Sequence, residues 1–492
     1  MSSPPSSRGA IGRERSARLL AAPVGPTLIR LALPMVVGLA AIIMFTVVDT
    51  FFVGRLGATP LAAMSFCFPV NFVVYSVTMG IGIGATSVIS RAIGEGDRAR
   101  VRRLTTHALV LALGTVVIIA GIGLLTMDSI FMAMGADETT LPLIREYMTP
   151  WLLGVGLLVI PMVGNSAIRA TGDTVSPSVI MIVAGVVNIA LDPILIFGLG
   201  PVPALGLAGA AIATVISWSV TFAAASWLLV KRERMIELEL PTAAELWASW
   251  RAILYVGLPA AGTNLLVPLS TGILTRFVAG YGTFAVAAFG VGGRMEALAM
   301  IGISAMATAM TPFVGQNYGA GNCDRIREAL RFASKVAFAW GSGAALLLGL
   351  LAFPIAGIFN DQPEVVGHTV DYLRLIPFSY GLLGIAMLVN TTFVALGKPL
   401  QASLVIGVRL FVLAIPLAWL GSRLLDLPGL FIGVAIGNVL ACGFAYGLVR
   451  RHLVRVERDI ALSKAPASAA LTDLTAASPE SAGPESLPAP IV

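Results

Sequence analysis

The chain has 492 residues, of which 57% are hydrophobic and only 12% are charged. An ordinary soluble domain is about 45–50% apolar and about 25% charged, so this composition excludes a water-soluble protein and indicates a polytopic membrane protein. The formal net charge is +6. The basic residues are spread over many short loops rather than gathered in one patch, so we expect no nucleic-acid partner.

Twelve apolar stretches are long enough to span a bilayer, since a transmembrane helix needs about 20 mainly apolar residues. The sequence therefore predicts an all-α integral membrane protein with twelve transmembrane helices. The predicted spans are 27–53, 60–88, 104–127, 143–168, 177–198, 207–230, 252–278, 283–314, 332–357, 369–395, 400–420 and 429–449.

The segments that flank the spans are polar. Residues 1–26 are rich in Ser and Pro and include four arginines, and residues 451–492 are rich in Ala, Ser, Pro and Glu. Such segments have little apolar surface to bury. We expect a disordered basic arm before the first span and a largely disordered tail after the last.

The distribution of Lys and Arg predicts the orientation, because cytoplasmic loops carry the excess of basic residues. With both termini inside, the inner segments hold 24 of the 32 basic residues. The outer ends of the spans hold only five, namely Arg55, Arg145, Arg276, Arg374 and Arg423. The sequence thus predicts a multi-pass protein of the plasma (inner) membrane with both termini cytoplasmic.

An offset of 225 residues relates the first half of the chain to the second. Leu33-Pro34 matches Leu258-Pro259, and Gly94-x-Gly96 matches Gly319-x-Gly321 at the same offset. Each copy holds six spans, an even number, so both copies insert with the same orientation. Parallel repeats are typical of secondary transporters, in which the substrate site lies between the halves.

The repeat also sets the expected domain boundaries. We expect an N-lobe over residues 27–230, a cytoplasmic linker over 231–251 and a C-lobe over 252–450.

Two carboxyl groups lie inside predicted spans of the first half. Asp49 and Asp192 lie about five and six residues before the outer ends of spans 1 and 5, roughly 8–9 Å below the same membrane face. Asn188 shares the helix face of Asp192. Thr214 lies at a similar depth in span 6, and Tyr147 near the outer end of span 4 can reach the same layer. Ionisable residues inside a span are costly and are candidates for function.

The acidic pair is specific to the first half, since the matching positions of the second half are Leu274 and Leu417. Two carboxylates close together in a low dielectric do not both ionise easily. We therefore expect the pair to take up a proton or another cation. In the alternative reading, each Asp satisfies backbone groups near a helix end, as Asp192 could beside Pro193.

Three further residues inside the spans are candidates for a structural or functional role. Arg294 and Glu296 in span 8 are either a buried ion pair that lines the cavity or a lock between helices. Pro34 lacks a backbone donor and permits a kink in span 1. A bend there would move Asp49 relative to Asp192, so Pro34 is a candidate conformational hinge.

The sequence offers no sign of an enzyme or of a resident cofactor. The three cysteines and three histidines are scattered, with no zinc spacing, no phosphate-loop glycines and no nucleophile constellation. We expect no cofactor and no bound catalytic metal, and only a coupling ion.

Several motifs give the chain a resemblance to a known family over residues 27–455. They are Asp49-Thr-Phe-Phe-Val-Gly-Arg-Leu-Gly57, Gly94-Glu-Gly96, Arg169-Ala-Thr-Gly-Asp173, Gly209-Ala-Ala-Ile-Ala-Thr214 and Val314-Gly-Gln-Asn-Tyr-Gly-Ala-Gly321. With these motifs the chain resembles the multidrug and toxic compound extrusion (MATE) family, most closely its DinF-like branch. The resemblance implies a twelve-helix antiporter of two six-helix lobes.

The resemblance also implies a cation site in the N-terminal lobe. Asp49, Asn188, Asp192, Thr214 and Tyr147 match the cation-site positions of the DinF-like branch. The norfloxacin-exporting branch carries a Glu on helix 7 and an Asp on helix 10 instead. Span 7 of this chain has no acidic residue, so we do not expect that second-half site.

The predicted function is the efflux of amphipathic, often cationic, small molecules by alternating access, in exchange for H⁺ rather than Na⁺. We expect the protein to be a monomer. A sodium ion would use Asp49, Asn188, Asp192 and Thr214. The first alternative is a lipid or lipid-linked-oligosaccharide flippase of the same superfamily, which needs cationic cavity groups such as Arg30, Arg294 and Arg409. The second is an intramembrane enzyme, which the sparse histidines disfavour.

Overall fold

The computed structural model describes residues 7–237, 239 and 241–464. Helices make up almost all of this part of the chain. In chain order they are α1 (Ser7–Ala21), α2 (Val24–Gly54), α3 (Ala58–Gly94), α4 (Arg98–Ala133), α5 (Leu141–Ala170), α6 (Val175–Phe197), α7 (Gly206–Trp227), α8 (Ala243–Val278), α9 (Thr283–Ala299), α10 (Ile301–Gly319), α11 (Cys323–Leu350), α12 (Ala352–Phe359), α13 (Pro363–Leu375), α14 (Tyr380–Ala395), α15 (Pro399–Gly407) and α16 (Ile415–Lys464). Single π-helical turns follow α7 at Leu228–Arg232 and α15 at Val408–Ala414.

The helices supply twelve membrane spans within the described residues. Ten helical stretches are long and apolar enough to cross a bilayer, and the bent pair α9 and α10 makes an eleventh span. The last stretch, Pro399–Arg455, is 57 residues long and has non-helical backbone at Leu425 and Asp426. Because one span takes about 20 residues, this stretch crosses twice. The predicted all-α fold with twelve transmembrane helices is confirmed.

The break between the last two spans depends on a tight turn. Asp426 has φ 53°, in the left-handed region that most residues avoid. On either side of the turn, Gly421 and Gly429 approach so closely that a Cβ on Gly421 would lie 2.0 Å from the carbonyl oxygen of Gly429. The apolar sequence continues through this turn, but the chain reverses direction there.

The internal repeat is visible in the backbone as well as in the sequence. Gly57 and Gly282, which are 225 residues apart, have φ 121° and 100°. Two further pairs at the same offset share the left-handed region, which glycine adopts without steric cost. They are Gly96 with Gly321 (81° and 75°) and Gly172 with Gly397 (86° and 70°). Equivalent loops of the two halves therefore have the same conformation.

Several helices begin earlier than their apolar stretches. The Asp97 side chain accepts a hydrogen bond from the backbone N–H of Arg100 and so caps α4 six residues before the predicted span. A capping box of Thr242 and Glu245 starts α8 at Ala243. The non-helical linker is consequently shorter than the predicted segment 231–251, because its second part belongs to α8.

The prediction of a disordered arm over residues 1–26 is wrong for its described part, because the structure has a helix over Ser7–Ala21. Arg15 forms ion pairs with Asp173 at 2.9 Å and Glu233 at 3.2 Å. Arg325 donates to the carbonyl oxygens of Leu19 and Ala22. Polar contacts with distant loops thus order a segment that lacks its own apolar core. Residues 1–6 lie outside the described residues.

The predicted tail over 451–492 also begins as a helix, since α16 extends to Lys464. The rest of that predicted segment, residues 465–492, lies outside the described residues.

The two halves meet along the ends of their helices on the arginine-rich side of the protein, here called the basic face. A Cβ on Gly84 would lie 2.3 Å from the carbonyl oxygen of Ile253, and one on Gly94 would lie 2.1 Å from that of Gln316. The Ser87 hydroxyl donates to the carbonyl of Val394 at 2.6 Å. We call this glycine-lined contact the seam. It joins α3 of the first half to α8, α10 and the end of α14 in the second.

Candidate ion site in the first half

The two carboxyl groups singled out in the sequence come together between neighbouring helices. α2 carries Asp49 and packs against α6, which carries Asp192. The two residues are 8% and 0% exposed, and their side chains interact electrostatically. Each lies five residues before the end of its helix, about 8 Å below the face opposite the basic face. The equal depth follows from the similar position of each Asp in its apolar stretch.

The oxygen atoms of this pair are largely without donors. One carboxyl oxygen of Asp49, both oxygens of Asp192 and the amide oxygen of Asn188 are buried with no hydrogen-bond partner among the described residues. Buried acceptors without a partner are unfavourable, most of all when charged. The four oxygens are therefore free to bind a proton or to coordinate a small cation.

Asn188 and Thr214 connect α6 to α7 beside the acidic pair. Asn188 lies one helical turn before Asp192 and so shares its face. Its Nδ2 donates to the Thr214 hydroxyl at 3.3 Å, and that hydroxyl donates to the carbonyl of Ala210 at 3.0 Å. The bond occupies the amide nitrogen of Asn188 and leaves its oxygen as an acceptor next to Asp192.

Tyr147 of α5 also belongs to the neighbourhood of Asp49. It is 5% exposed, and its hydroxyl lies near both Asp49 and the Asn71 side chain of α3. The structure thus brings together all five residues that the sequence singled out as a cation site.

Two residues of α3 at this site were missed in the sequence analysis. Asn71 is buried beside Tyr147, and Tyr75 lies close enough to Asp49 to interact with it electrostatically. The Tyr75 ring packs edge-on against Trp151, with ring centroids 6.1 Å apart. The sequence did contain a signal, because an Asn and a Tyr four residues apart share one helix face inside a membrane span.

Pro34 lies inside α2, which continues as a helix from Val24 to Gly54. One turn later Gly38 packs on α6, where a Cβ would lie 3.2 Å from the Ser178 hydroxyl. The Ser178 hydroxyl donates to the carbonyl of Thr174 at 2.8 Å and lies 3.4 Å from the sulfur of Met35. The half-buried proline therefore lies one turn before a close contact between α2 and α6, and well below the acidic pair.

Arg294 and Glu296 do not pair with each other within the described residues. Residues two apart face different sides of a helix, and Arg294 is exposed. Glu296 accepts a hydrogen bond from the Tyr372 hydroxyl at 2.9 Å and interacts electrostatically with Arg409. Arg409, on the second π-helical turn, donates to Asn438 at 3.5 Å. The charge pair of the second half is Glu296 with Arg409.

Comparison with known proteins identifies the family. The MatE family model matches residues 34–194 and again residues 259–420. The chain belongs to the MatE family, and the resemblance to MATE transporters is confirmed. The two matches start at residues 34 and 259, which reproduces the 225-residue offset of the repeat.

Relatives and solved structures match this chain over most of its length. A protein of Shewanella oneidensis named FAD transporter is 37% identical over 433 residues, which are 88% of this chain and 96% of the relative. The probable multidrug resistance protein NorM of Thermotoga maritima is 27% identical over 83% of this chain and 88% of its own. The crystal structure of the Vibrio cholerae MATE transporter VcmN in the bent form has a TM-score of 0.84 and 32% identity, and covers 91% of this chain and 99% of its own. The protein is a membrane transporter and not an enzyme.

Proposed function

We propose that this protein is a secondary active exporter that exchanges H⁺ for amphipathic small molecules through the Asp49 and Asp192 pair. The observation that carries the proposal is the set of four buried, unpartnered oxygens around two neighbouring carboxyl groups. A proton held between two carboxyl groups removes the repulsion and supplies a donor at once. The position of the site in the first half agrees with the DinF-like branch of the family.

Sodium is the second candidate for the coupling ion. Na⁺ would use the carboxylate oxygens together with the oxygens of Asn188 and Thr214. The proton is favoured because the Thr214 hydroxyl already accepts from Asn188 and donates to Ala210, which reduces its freedom to turn toward an ion.

The proposed orientation places the basic face in the cytoplasm of the cell, with both termini on that side and the inner membrane as the location. This orientation follows the excess of Lys and Arg on inner segments. It sets the acidic pair about 8 Å below the outer surface, so the ion enters from outside. The closed seam on the basic face supports an outward-facing state, and a structure described as an outward-facing MATE transporter has a TM-score of 0.83 to this chain.

The exchange then runs by alternating access. An ion binds the acidic pair from outside, which changes how α2 packs on α6 around Asp49. Pro34 has no N–H to bond the carbonyl of Arg30, so α2 can bend there at low cost. Structures of relatives are described as a bent form and a straight conformation, so transporters similar to this chain adopt two conformations. The bend expels the substrate, and the return through the inward-facing state releases the ion. One chain contains both lobes, so we propose that the monomer is the active unit.

Two substrate classes are candidates. Cationic amphipathic compounds fit the acidic pair and the relatives named as multidrug resistance proteins. FAD is the second candidate substrate, because the relative named FAD transporter is aligned with this chain over 96% of its own length.

Transport into everted membrane vesicles tests the proposal. With an imposed pH gradient, vesicles of the wild type should accumulate a fluorescent cationic dye or FAD, and the Asp49→Asn and Asp192→Asn variants should not. The matched control is Asp361→Asn, which removes an exposed carboxylate. Retained uptake in both site variants would exclude the proposed role of the pair, and uptake driven only by a sodium gradient would select Na⁺.

A further inference from the structure

A cavity of about 380 Å³ lies at the basic face beside the seam, well apart from the acidic pair. Its polar lining consists of Arg91 of α3, Glu95 directly after α3, Arg100 of α4, and Arg251 and Tyr255 of α8. We infer that this cavity binds the headgroup of an anionic phospholipid from the adjacent leaflet. The volume falls at the lower end of the usual range for ligand pockets, about 300–1,000 Å³.

The charges of the lining leave two guanidinium groups for a ligand. Glu95 pairs with Arg100 at 2.5 Å, so these two residues largely neutralise each other. Among the described residues, no carboxylate forms an ion pair with Arg91 or Arg251. Arginine binds phosphate through paired N–H donors in a planar fork. An anionic phosphate is therefore the ligand chemistry that these two side chains fit.

Arg91 is held in position rather than free in solvent. Its Nε donates to the carbonyl of Ser87 at 3.1 Å. Its guanidinium lies against Gly397, where a Cβ would come within 2.3 Å of Nη1. Arg91 therefore lines the cavity with its side chain already held in one place. A preorganised donor loses less entropy when a ligand binds.

The aromatic residues of α8 place the cavity at the level of lipid headgroups. Tyr255 lies one turn after Arg251 and is 56% exposed, and Trp247 lies one turn before Arg251 and is 64% exposed. Exposed Trp and Tyr concentrate at the membrane–water interface. Basic pockets between transmembrane helices on the cytoplasmic side bind anionic lipid headgroups. This position favours a lipid phosphate over a soluble one.

The lining residues come from both halves of the protein. Arg91 belongs to the first half, whereas Arg251 and Gly397 belong to the second. A bound headgroup therefore bridges the halves and stabilises the arrangement in which the seam is closed. This consequence for the transport cycle rests on the proposed function, but the binding itself does not.

Native mass spectrometry of the full-length protein tests the binding without any ion gradient. We expect phosphatidylglycerol to remain bound at collision energies that remove phosphatidylcholine. Arg251→Gln should lower the phosphatidylglycerol affinity about tenfold, the effect of losing roughly 1.4 kcal/mol of binding free energy. Arg98→Gln is the matched control, because it removes one exposed arginine of the basic face that does not line the cavity.

Three results would overturn the inference. They are equal affinity for the two lipids, unchanged phosphatidylglycerol binding in Arg251→Gln, and full displacement of the lipid by millimolar inorganic phosphate, which would identify a soluble anion as the ligand. Size-exclusion profiles identify any misfolded variant, and the comparison of the two lipids on the wild type does not depend on a variant. Asp49→Asn should bind the lipid normally, which separates this inference from the proposed transport mechanism.

Discussion

At the scale of single residues, the two halves of the protein differ in the acidic residues inside the membrane, although the repeat relates the positions. The first half has Asp49 and Asp192 inside the membrane, and the second half has Leu274 and Leu417 at the matching positions. In the second half, the half-buried Glu296 and Arg409 interact electrostatically and have opposite signs. Asp49 and Asp192 carry like charges instead, and we therefore propose that ion coupling belongs to the first half.

The hydrogen bond between Asn188 and Thr214 should tune the affinity of the ion site. Thr214→Val keeps the shape of the side chain but removes the acceptor of the Asn188 amide. We expect a loss of stability of about 1 kcal/mol and a shift in the ion concentration that half-saturates transport. Ser217→Ala is the control, since that hydroxyl bonds only to Ala213 of its own helix. Identical ion dependence in both variants would contradict a role for Thr214.

Outside the membrane, Asp137 should contribute to the pH dependence of stability. Hydrogen bonds from Thr140 and Thr139 lower the pKa of Asp137 to about 2, against an ordinary value of about 3.9. A lowered pKa means that its contribution is complete above the ordinary pKa and is lost as the pH falls through about 2. Asp137→Asn should lower the melting temperature at pH 7 and reduce its decline between pH 4 and pH 2. Parallel melting curves for the two proteins would refute this assignment.

At the candidate ion site, the sequence pointed to residues that violate the apolar pattern of their own helix, and the structure places these residues next to one another. Asp49, Asn188 and Asp192 are costly inside a membrane, and that cost is visible in the sequence alone. Asn71 and Tyr75 share one helix face, but they were missed because their places beside Tyr147 and Asp49 depend on how α3 packs against α5 and α2. The partner of Glu296 was also missed, since Arg409 is 113 positions away in the chain.

At the scale of helices, hydropathy predicted the middle of each span and missed the ends. The ends depend on caps such as the box of Thr242 and Glu245, which are local polar contacts without apolar character. Helix α1 could not be predicted because its partners, Asp173 and Glu233, lie 158 and 218 positions away. Apolar content reports which residues enter the bilayer, and polar contacts decide how far the helices continue beyond it.

Removing Pro34 should slow transport without weakening ion binding. In Pro34→Ala, residue 34 gains an N–H that can bond the carbonyl of Arg30, so bending α2 becomes more costly. We expect a fall of about tenfold in the rate of export, because that is the effect of roughly 1.4 kcal/mol on a barrier. The control is Pro69→Ala, which removes a proline from the interior of α3. Equal rates in Pro34→Ala and the wild type would exclude Pro34 as the hinge.

At the scale of the whole molecule, the seam closes one face of the transporter by direct backbone contact. A Cβ on Gly94 would lie 2.1 Å from a carbonyl oxygen of α10, and one on Gly319 would lie 2.2 Å from the carbonyl of Arg91. No side chain can enter such a contact without moving a helix. The repeat predicted two lobes, but the seam depends on which faces of those lobes meet.

Substitution in the seam should shift the protein away from the outward-facing state that we propose. Gly94→Ala places a methyl group against α10, so the halves must separate on the basic face. Spin labels on the ends of α3 and α10 should report a longer distance, and export should fall. Gly114→Ala is the control, because a Cβ there meets open space. An unchanged distance in Gly94→Ala would show that the seam tolerates the added atoms.

Proton release on substrate binding tests the central claim most directly. The purified protein in weakly buffered detergent solution, mixed with FAD or a cationic dye, should release protons when the substrate displaces them from the acidic pair. We expect proton release by the wild type and by Asp361→Asn, and none by Asp49→Asn or Asp192→Asn under conditions where the substrate still binds. Equal proton release by the wild type and both site variants would contradict coupling through Asp49 and Asp192.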